Sequence, residues 1–149
     1  MDLVEKNKRE LIVDAEIEEL ENVLEFISGY LSELGCSMAL EMKINIACEE
    51  IFVNIAHYAY KKISPDLKGK AVIRLSLDDS EENFQIMFRD KGIAYNPLEK
   101  EDPDVSLSAE ERDIGGLGIY MVKKSMDAVL YERQGDENVL VLVKDLKTK

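Results

Sequence analysis

The segment from about Ser37 to Tyr60 constrains the fold most, because it is predicted to form one long helix that is apolar on nearly all sides. Its main apolar face consists of residues at helical spacing, namely Ile44, Ala47, Cys48, Ile51, Phe52, Ile55 and Ala59. Ile46 and Val53 lie almost opposite this face, where a helix exposed to solvent would carry polar residues. In a helix that is apolar on nearly all sides, the few polar residues are candidates for the lining of a pocket.

The order of the other predicted elements indicates which layers surround this helix. Periodicity and turn residues predict, in chain order, a strand at 9–14, a helix at 17–34, the helix from Ser37, strands at 70–78 and 83–89, a helix from near Gly116 to Met126, and strands at 128–133 and 138–144. Adjacent strands beside clustered helices favour an α+β fold, a two-layer sandwich in which helices cover one face of a mostly antiparallel mixed sheet. A parallel, doubly wound sheet would require alternating βαβ units, which the pattern lacks.

The size and charge of the chain narrow the function classes. Its 149 residues are enough for one domain with a real core, expected to span residues 1–149. The 31 acidic and 19 basic side chains give a formal net charge of −12, which argues against a nucleic-acid-binding surface. The charge does not exclude a small anionic ligand, because a few local donors can hold a phosphate within an acidic protein.

Membrane, disulfide and zinc features are not evident in the sequence. No apolar run approaches the roughly 20 residues that cross a bilayer, and the first residues lack the apolar region of a signal peptide. Cys36 and Cys48 stand singly in helix-like segments, so buried, reduced thiols are expected. We therefore expect a cytoplasmic protein that contacts neither membrane nor nucleic acid.

A narrow polar stripe on the long helix is the first candidate for chemistry. It consists of Lys43, Glu50, Asn54 and His57. Glu50 and Asn54 are one turn apart, so their side chains can reach a shared ligand. A carboxylate at this place can act as a general base, and an amide oxygen is a hard ligand suited to Mg²⁺. The alternative interpretation is that these polar side chains form a solvent-exposed stripe at the edge of the helix.

Two glycine-containing motifs are the second and third candidates. Asp90 ends a strand and precedes Gly92, so its carboxylate can accept a hydrogen bond from an amino group such as that of adenine; an ordinary Asp-x-Gly turn is the alternative. Gly115, Gly116 and Gly118 open a helix, where free N–H groups and the helix dipole favour an anion; a flexible hinge is the alternative. Neither the P-loop nor the Rossmann pattern matches this motif.

The segment between these two motifs, residues 91–114, is long, charged and without hydrophobic periodicity. Much of the acidic excess of the chain lies here, at Glu99, Glu101, Asp102, Asp104, Glu110, Glu111 and Asp113. A loop of this length in a small domain is typical of a functional lid or of a disordered segment.

The three motifs together are more specific than any one of them, because they occur in a defined order and spacing. E-x-x-x-N on a helix, D-x-G-x-x-x-x-P after a strand and G-G-L-G-I before a helix resemble the N, G1 and G2 boxes of the Bergerat ATP-binding fold. That superfamily includes gyrase, the histidine kinases, MutL and the ninety-kilodalton heat-shock chaperone. The resemblance covers nearly the whole chain, and the stand-alone length looks like that of the bacterial anti-sigma factor serine/threonine kinases.

The resemblance implies a role for each motif residue. Glu50 matches the N-box acid, proposed to act as general base, and Asn54 matches the asparagine that holds Mg²⁺ against the phosphates. Asp90 matches the aspartate that accepts the adenine amino group, and Gly92 leaves space for the ring. The resemblance implies ATP and Mg²⁺ as cofactors, Glu50 as the catalytic residue and Asn54 as the metal ligand. The implied nucleotide-binding residues are Asn54, Asp90, Gly92, Arg112, Gly115, Gly116, Leu117 and Gly118. Residues 98–114 match the ATP lid.

The chain departs from the pattern of these kinases at two places. Some members carry an arginine directly before the G2 glycines, where it can meet the terminal phosphate; here Ile114 stands there and Arg112 lies two residues earlier. Many members have histidine four residues after the N-box asparagine, whereas this chain has Tyr58 there and His57 one residue before it.

Three functions are compatible with these residues. The leading hypothesis is an ATP- and Mg²⁺-dependent kinase that phosphorylates a serine on a small anti-sigma antagonist protein and sequesters a sigma factor, with homodimerisation implied by the resemblance. The alternative is a non-catalytic module that senses nucleotide and switches a protein partner, which Ile114 favours. The third is an interaction domain that has lost its nucleotide.

Overall fold

The computed structural model describes residues 8–99 and 117–147. The α-helices in these ranges are α1 (Leu20–Glu33), α2 (Met38–Asn54) and α3 (Leu117–Ser125), and the strands are β1 (Lys8–Asp14), β2 (Lys70–Leu77), β3 (Asn83–Asp90), β4 (Ala128–Gln134) and β5 (Glu137–Asp145). None of these helices is long and apolar enough to cross a membrane.

The five strands form one sheet in the order β1-β2-β3-β5-β4. All four pairings between the described strands are antiparallel, so the sheet is more regular than the mostly antiparallel mixed sheet predicted from the sequence. β2 and β3 form the expected hairpin, and so do β4 and β5. Because β5 rather than β4 pairs with β3, the beginning of β5 lies beside the end of β3.

The strand register places alternate residues on the face of the sheet that the helices cover. One cross-strand row on this face consists of Leu11, Ile73, Phe88, Leu140 and Tyr131. The helices contribute the facing half of the core, which includes Val23, Ile27, Leu31, Ile44, Phe52 and Val122. The α+β sandwich predicted from the sequence is therefore confirmed.

The long helix predicted from Ser37 to Tyr60 is shorter than expected. Ser37 caps α2, with its Oγ accepting a hydrogen bond of 3.2 Å from the N–H of Leu40. α2 ends at Asn54, and Ile55–Ala59 continue it as a π turn. A π turn takes more residues per turn than an α-helix, so the side chains after Asn54 point in other directions than α-helical spacing predicts.

The first helix also differs slightly from its predicted range of 17–34. Ile17–Glu19 form a short 3-10 turn, and α1 begins only at Leu20. The helix stops before Gly35, as predicted: its last residue is Glu33, and Gly35 adopts a φ of +74°, which favours glycine. The two cysteines are free thiols, and burial of Cys48 raises the pKa of its thiol.

Lys144 fastens the C-terminal end of α3 to the sheet. Its side chain is only 8% exposed, and its Nζ donates a hydrogen bond of 2.9 Å to the Ser125 carbonyl oxygen and lies 3.7 Å from Asp127 Oδ2. A cation at the end of a helix interacts favourably with the unpaired carbonyls and with the helix dipole. The position of α3 depends on this contact, and the other end of α3 lies beside the cavity described below.

We expect Lys144→Met to lower the free energy of unfolding by about 1.5 to 3 kcal/mol, because a buried charge-assisted hydrogen bond is lost. Urea denaturation at neutral pH measures the change. Lys70→Met is the matched control, because Lys70 also pairs with an aspartate, at only 2.6 Å from Asp14, but both side chains are largely exposed. Lys70→Met should have little measurable effect, because solvent screens exposed ion pairs. Equal effects of the two changes would contradict the proposed anchoring.

Candidate functional site

A cavity of about 570 Å³ lies between α2 with its π turn and the polar end of the sheet. Its lining consists of Glu50, Ile51, Asn54, Ile55, Tyr58, Ala59, Lys62, Phe88, Asp90, Ile93, Ala94, Tyr95, Pro97, Ile119, Tyr131, Asn138 and Leu140. Most of this wall is apolar or aromatic, with a few convergent polar groups, as in small-molecule sites generally. Three residues that the sequence singled out, Glu50, Asn54 and Asp90, therefore share one cavity.

Glu50 lies at the end of the cavity where α3 begins. Gly118 is in the first turn of α3, and a Cβ at this position would overlap the Glu50 carboxylate. Glycine thus allows the start of α3 to approach the carboxylate closely. The N–H groups of a helix N-terminus favour an anion in general, and the carboxylate that lies beside the first turn of α3 is that of Glu50.

Beyond Asn54, the π turn decides which side chains face the cavity. Lys43 and His57, which the helical stripe included, are exposed and do not contribute to the cavity lining. Tyr58 lines the cavity instead, because the wider turn rotates His57 away. Lys62 follows one turn later, with its Nζ 5.4 Å from the centre of the Tyr58 ring.

Asp90 is the buried carboxylate at the other end of the cavity, at the last position of β3. Its Oδ1 accepts hydrogen bonds of 2.9 Å from the N–H of Gly92 and 2.9 Å from Nδ2 of Asn138. Burial raises the pKa of the Asp90 carboxyl; the two hydrogen bonds and nearby Arg133 oppose this increase without cancelling it, and Glu137 adds to it. Both hydrogen bonds that described residues donate to this carboxylate end on Oδ1, and Asp90 is one of the residues that line the cavity.

The turn after Asp90 is fixed against the π turn. A Cβ at Gly92 would overlap the Ala59 carbonyl, and the next residue, Ile93, donates an N–H hydrogen bond of 2.7 Å to the same carbonyl. The Tyr60 hydroxyl accepts a hydrogen bond of 2.9 Å from the N–H of Lys91 and donates one to the Lys70 carbonyl. The role of glycine at position 92 is therefore close approach between two backbone segments.

Several cavity residues were not identified from the sequence. Tyr58, Lys62, Tyr95, Tyr131 and Asn138 line the cavity, although only Tyr58 was noted, and only as a departure from the family pattern. Asn138 stands in an otherwise apolar strand, N-V-L-V-L-V, and a polar residue there was the one available signal. No comparable feature of the sequence distinguishes Tyr95 or Tyr131.

The G2 residues are only partly described. Arg112, Ile114, Gly115 and Gly116, with the lid from residue 100 to 114, lie outside the described residues. Leu117 begins α3, and Gly118 is placed as stated above. The prediction that Gly115, Gly116, Leu117 and Gly118 bind the nucleotide therefore stays a prediction.

The polar groups in the cavity fit a nucleotide and a divalent cation. Asp90 supplies an acceptor for an amino group, and Ile119 in the first turn of α3 also lines the cavity. Asn54 lines the cavity between them, one helical turn after Glu50, and its amide oxygen is a ligand type that Mg²⁺ accepts. Mg²⁺ usually takes few protein ligands and completes its shell with water and phosphate oxygens, which suits this donor set.

An antiparallel sheet under three helices, with an acceptor carboxylate at one end of the cavity and a helix N-terminus at the other, defines a nucleotide-binding domain of the histidine kinase-like class. The family model described as the histidine kinase-like ATPase domain matches residues 13–144, and the chain belongs to this family. The sequence is similar to that of the serine/threonine-protein kinase BtrW of Bordetella bronchiseptica, with 26% identity over 106 residues and 71% of each chain covered.

The fold is similar to a solved structure of the RsbU and RsbW domains of a Mycobacterium tuberculosis protein. The TM-score is 0.62 and the sequence identity 17%, and the match covers 93% of this chain. This chain spans 32% of the length of that protein, about a third, and the similarity supports the fold. The family predicted from the N, G1 and G2 boxes is confirmed.

We expect the Asp90→Asn variant to become more stable relative to the native protein as pH increases. The measured quantity is the difference between the free energies of unfolding of the two proteins. The folded state raises the pKa of Asp90, so the native protein loses stability as pH rises from the unperturbed value of about 3.9 through the raised one. The asparagine variant carries no buried charge, and its stability lacks this component. Thermal unfolding of both proteins between pH 4 and 8 measures the difference. A difference that is constant over this range, or that shrinks with rising pH, would contradict the burial of an ionised Asp90.

We expect Gly118→Ala to impair the Glu50 end of the site while leaving the fold intact. The added methyl group would overlap the end of a flexible side chain, so the Glu50 carboxylate moves rather than the backbone. Phosphoryl transfer, or ATP binding where no transfer occurs, should fall by at least about ten-fold, and the melting temperature should change little. Gly29→Ala, at an exposed position of α1, is the control, because a Cβ there meets nothing within 4 Å. An active Gly118→Ala protein would show that the contact with Glu50 is not needed.

Proposed function

We propose that this protein is an ATP- and Mg²⁺-dependent serine/threonine kinase of the anti-sigma factor type. The observation that carries the proposal is that Glu50, Asn54 and Asp90 line one cavity, with the start of α3 against Glu50. Membership in the ATPase domain family supports ATP as the nucleotide. The similarity to BtrW, which is named a serine/threonine-protein kinase, supports the reaction type.

The two ends of the cavity bind different parts of ATP in this proposal. The adenine amino group donates to Asp90 Oδ2, and the apolar walls, which include Ile55, Ile93 and Leu140, cover the ring. The phosphates extend towards Glu50 and the N-terminus of α3, where the helix dipole favours negative charge. This arrangement reconciles the net charge of −12 with an anionic ligand, because the donors are local and need no basic surface.

The side chains at the phosphate end then have distinct tasks. Glu50 accepts the proton of the substrate serine hydroxyl or orients that hydroxyl towards the γ-phosphorus in line with the leaving ADP. Asn54 would hold Mg²⁺, which when bound neutralises charge on the phosphate oxygens. Gly118 keeps the start of α3 close to Glu50, so that the base and the phosphate-binding helix end stay in fixed relation.

The proposed partners are proteins of a sigma-factor switch in the cytoplasm. We propose a small anti-sigma antagonist protein as the phosphate acceptor and a sigma factor as the alternative partner, with a homodimer as the working form. The RsbW-like fold and the similarity to BtrW support this partner class.

A second candidate function is nucleotide sensing without phosphoryl transfer. Ile114 stands where some of these kinases carry an arginine that meets the terminal phosphate, and a protein without this cation stabilises the transition state less. Such a module would bind ATP and switch its partner by binding alone.

The test compares Glu50→Gln with Glu49→Gln in a phosphotransfer assay that uses labelled ATP, Mg²⁺ and the candidate antagonist protein. Glu50→Gln should lower the transfer rate by about a hundred-fold or more, because general bases contribute at least that much, while the Kd for ATP changes only a few-fold. Glu49 is the neighbouring carboxylate, but it is exposed and outside the cavity, so Glu49→Gln should transfer phosphate at the native rate.

The outcomes separate the candidates. Equal transfer by native protein and Glu50→Gln would remove Glu50 from its role. ATP binding without any phosphorylated product, across all candidate partners, would favour the nucleotide-sensing module. Transfer that persists in excess chelator would contradict the Mg²⁺ requirement.

A further inference from the structure

We propose that Lys61, held by Glu16, keeps the turn after α2 in its π form and thereby places Tyr58 rather than His57 in the cavity wall. Lys61 is not among the residues that line the cavity, so it acts as a positioning residue. This inference rests on the proposed nucleotide binding for one of its two measurements, and the other measurement needs no nucleotide.

The ammonium group of Lys61 joins the π turn to a distant part of the chain. Its Nζ donates a hydrogen bond of 3.1 Å to the carbonyl oxygen of Ala56, inside the π turn, and another of 2.7 Å to Oε2 of Glu16. Glu16 lies between β1 and the 3-10 turn Ile17–Glu19, 45 residues before Lys61. The pair therefore connects the turn after α2 to the segment after β1.

Partial burial protects this ion pair from solvent. The side chains of Lys61 and Glu16 are 37% and 26% exposed, compared with 66% and 60% for Lys70 and Asp14. Solvent and salt screen the exposed pair more strongly than the half-buried one. Glu16 thus keeps the flexible Lys61 side chain on the protein, where its ammonium group reaches the carbonyl of the turn.

The spacing between Ala56 and Lys61 suits the π form of the turn better than the α form. A π turn joins residue i to residue i+5, so it brings position 61 back over position 56. In an α-helix, residue i+5 is rotated by about 140° from residue i, which would direct the Lys61 side chain away from the Ala56 carbonyl. The contact between Lys61 and Ala56 therefore stabilises the π form relative to the α form.

A second contact holds the end of the turn without selecting its form. The Ala59 carbonyl, which accepts a hydrogen bond of 2.7 Å from the N–H of Ile93, lies after positions 57 and 58. Lys61 instead bonds Ala56, which lies before these positions. The Ala59 contact thus fixes where the turn ends, and the Lys61 contact fixes which way the side chains within it face.

The form of the turn decides which side chain enters the cavity wall. In the π form, Tyr58 lines the cavity and His57 is exposed outside it. An α-helical turn would bring His57 into line with Glu50 and Asn54 and would rotate Tyr58 out of the wall. Without Lys61, an imidazole would therefore replace a phenol ring beside a bound nucleotide.

The first measurement uses His57 as a natural probe. The chain has one histidine, so its imidazole signals in the proton NMR spectrum of the untagged protein need no assignment. A neutral, soluble gadolinium chelate broadens the signals of exposed groups, and it should broaden those of native His57 strongly. In Lys61→Met the broadening should fall by about two-fold or more, because a pocket encloses most of the surface of a group that lies in it.

The second measurement adds Mg²⁺ and ATP. The imidazole signals should keep their chemical shifts in the native protein and move in Lys61→Met. The Kd for ATP should rise by about three-fold or more in this variant, because the aromatic wall formed by Tyr58 is lost. The rate of phosphoryl transfer at saturating ATP should stay within about two-fold of the native rate, since Glu50 and Asn54 precede the turn. A general loss of stability would not separate Kd from rate in this way.

Matched variants separate the contact with Ala56 from the loss of a lysine as such. Lys61→Arg keeps the charge and the donors, so it should restore the native broadening. Glu16→Gln leaves Lys61 in place without its opposing charge, so it should change the broadening in the same direction as Lys61→Met but by less. Lys70→Met removes a lysine from the exposed pair with Asp14 and should leave His57 unchanged.

The outcomes distinguish failure of this inference from failure of the proposed function. Urea denaturation first verifies that each variant is folded, and Glu16→Gln keeps the test decisive if Lys61→Met folds poorly. Native broadening of the His57 signals in both variants overturns the role of Lys61, even if the Kd for ATP rises. A native protein that binds no ATP overturns the proposed function, and the broadening without nucleotide still decides the role of Lys61.

Discussion

The hydrogen bond between Asp90 and Asn138 is the interaction on which the site depends. It joins β3 to β5 at the end of the sheet, where the apolar rows of the helix-covered face give way to a polar row. A buried carboxylate is unfavourable unless donors satisfy it, and Asn138 and the N–H of Gly92 supply them. The same pair fixes the strand register, because a slip of one residue would turn both side chains to the other face of the sheet. Strand pairing and ligand recognition are thus set by one contact.

α2 connects the two ends of the cavity. Its inward apolar face packs in the core, whereas Ile46 on the outer face is 59% exposed, and Glu50 and Asn54 line the cavity near the start of α3. Its continuation as a π turn then brings the Ala59 carbonyl against Gly92 and Ile93, which fixes the turn that follows Asp90. The contacts of Ala59 with Gly92 and Ile93 keep the turn after Asp90 in place. Burial raises the pKa of the Asp90 carboxyl, because it is unfavourable to the charged form.

Much of the fold and part of the site could be predicted from the sequence, for physical reasons that differ between residues. The strands at 70–78 and 83–89 were predictable because alternation reflects the two faces of a sheet directly. Glu50, Asn54 and Asp90 were found because each stands in a short motif whose spacing is local. An unbroken α-helix would place His57 in the polar stripe with Glu50 and Asn54. Because a π turn follows Asn54, Tyr58 lines the cavity and His57 does not. Tyr95, Tyr131 and Asn138 could not be found in this way, since no local spacing links them to Asp90.

The sequence by itself determined the element order, the antiparallel character of the sheet, the family, and the residues that mark the two ends of the cavity. These properties follow from periodicity and from local motifs, which act over a few residues. Only the tertiary structure decided that β5 lies between β3 and β4, and therefore that Asn138 faces Asp90 across a strand pair. Strand order depends on how the second hairpin packs beneath the helices, and this long-range choice leaves no periodic signal in the chain. The acceptor carboxylate can be read from the sequence, but the residue that orients it cannot.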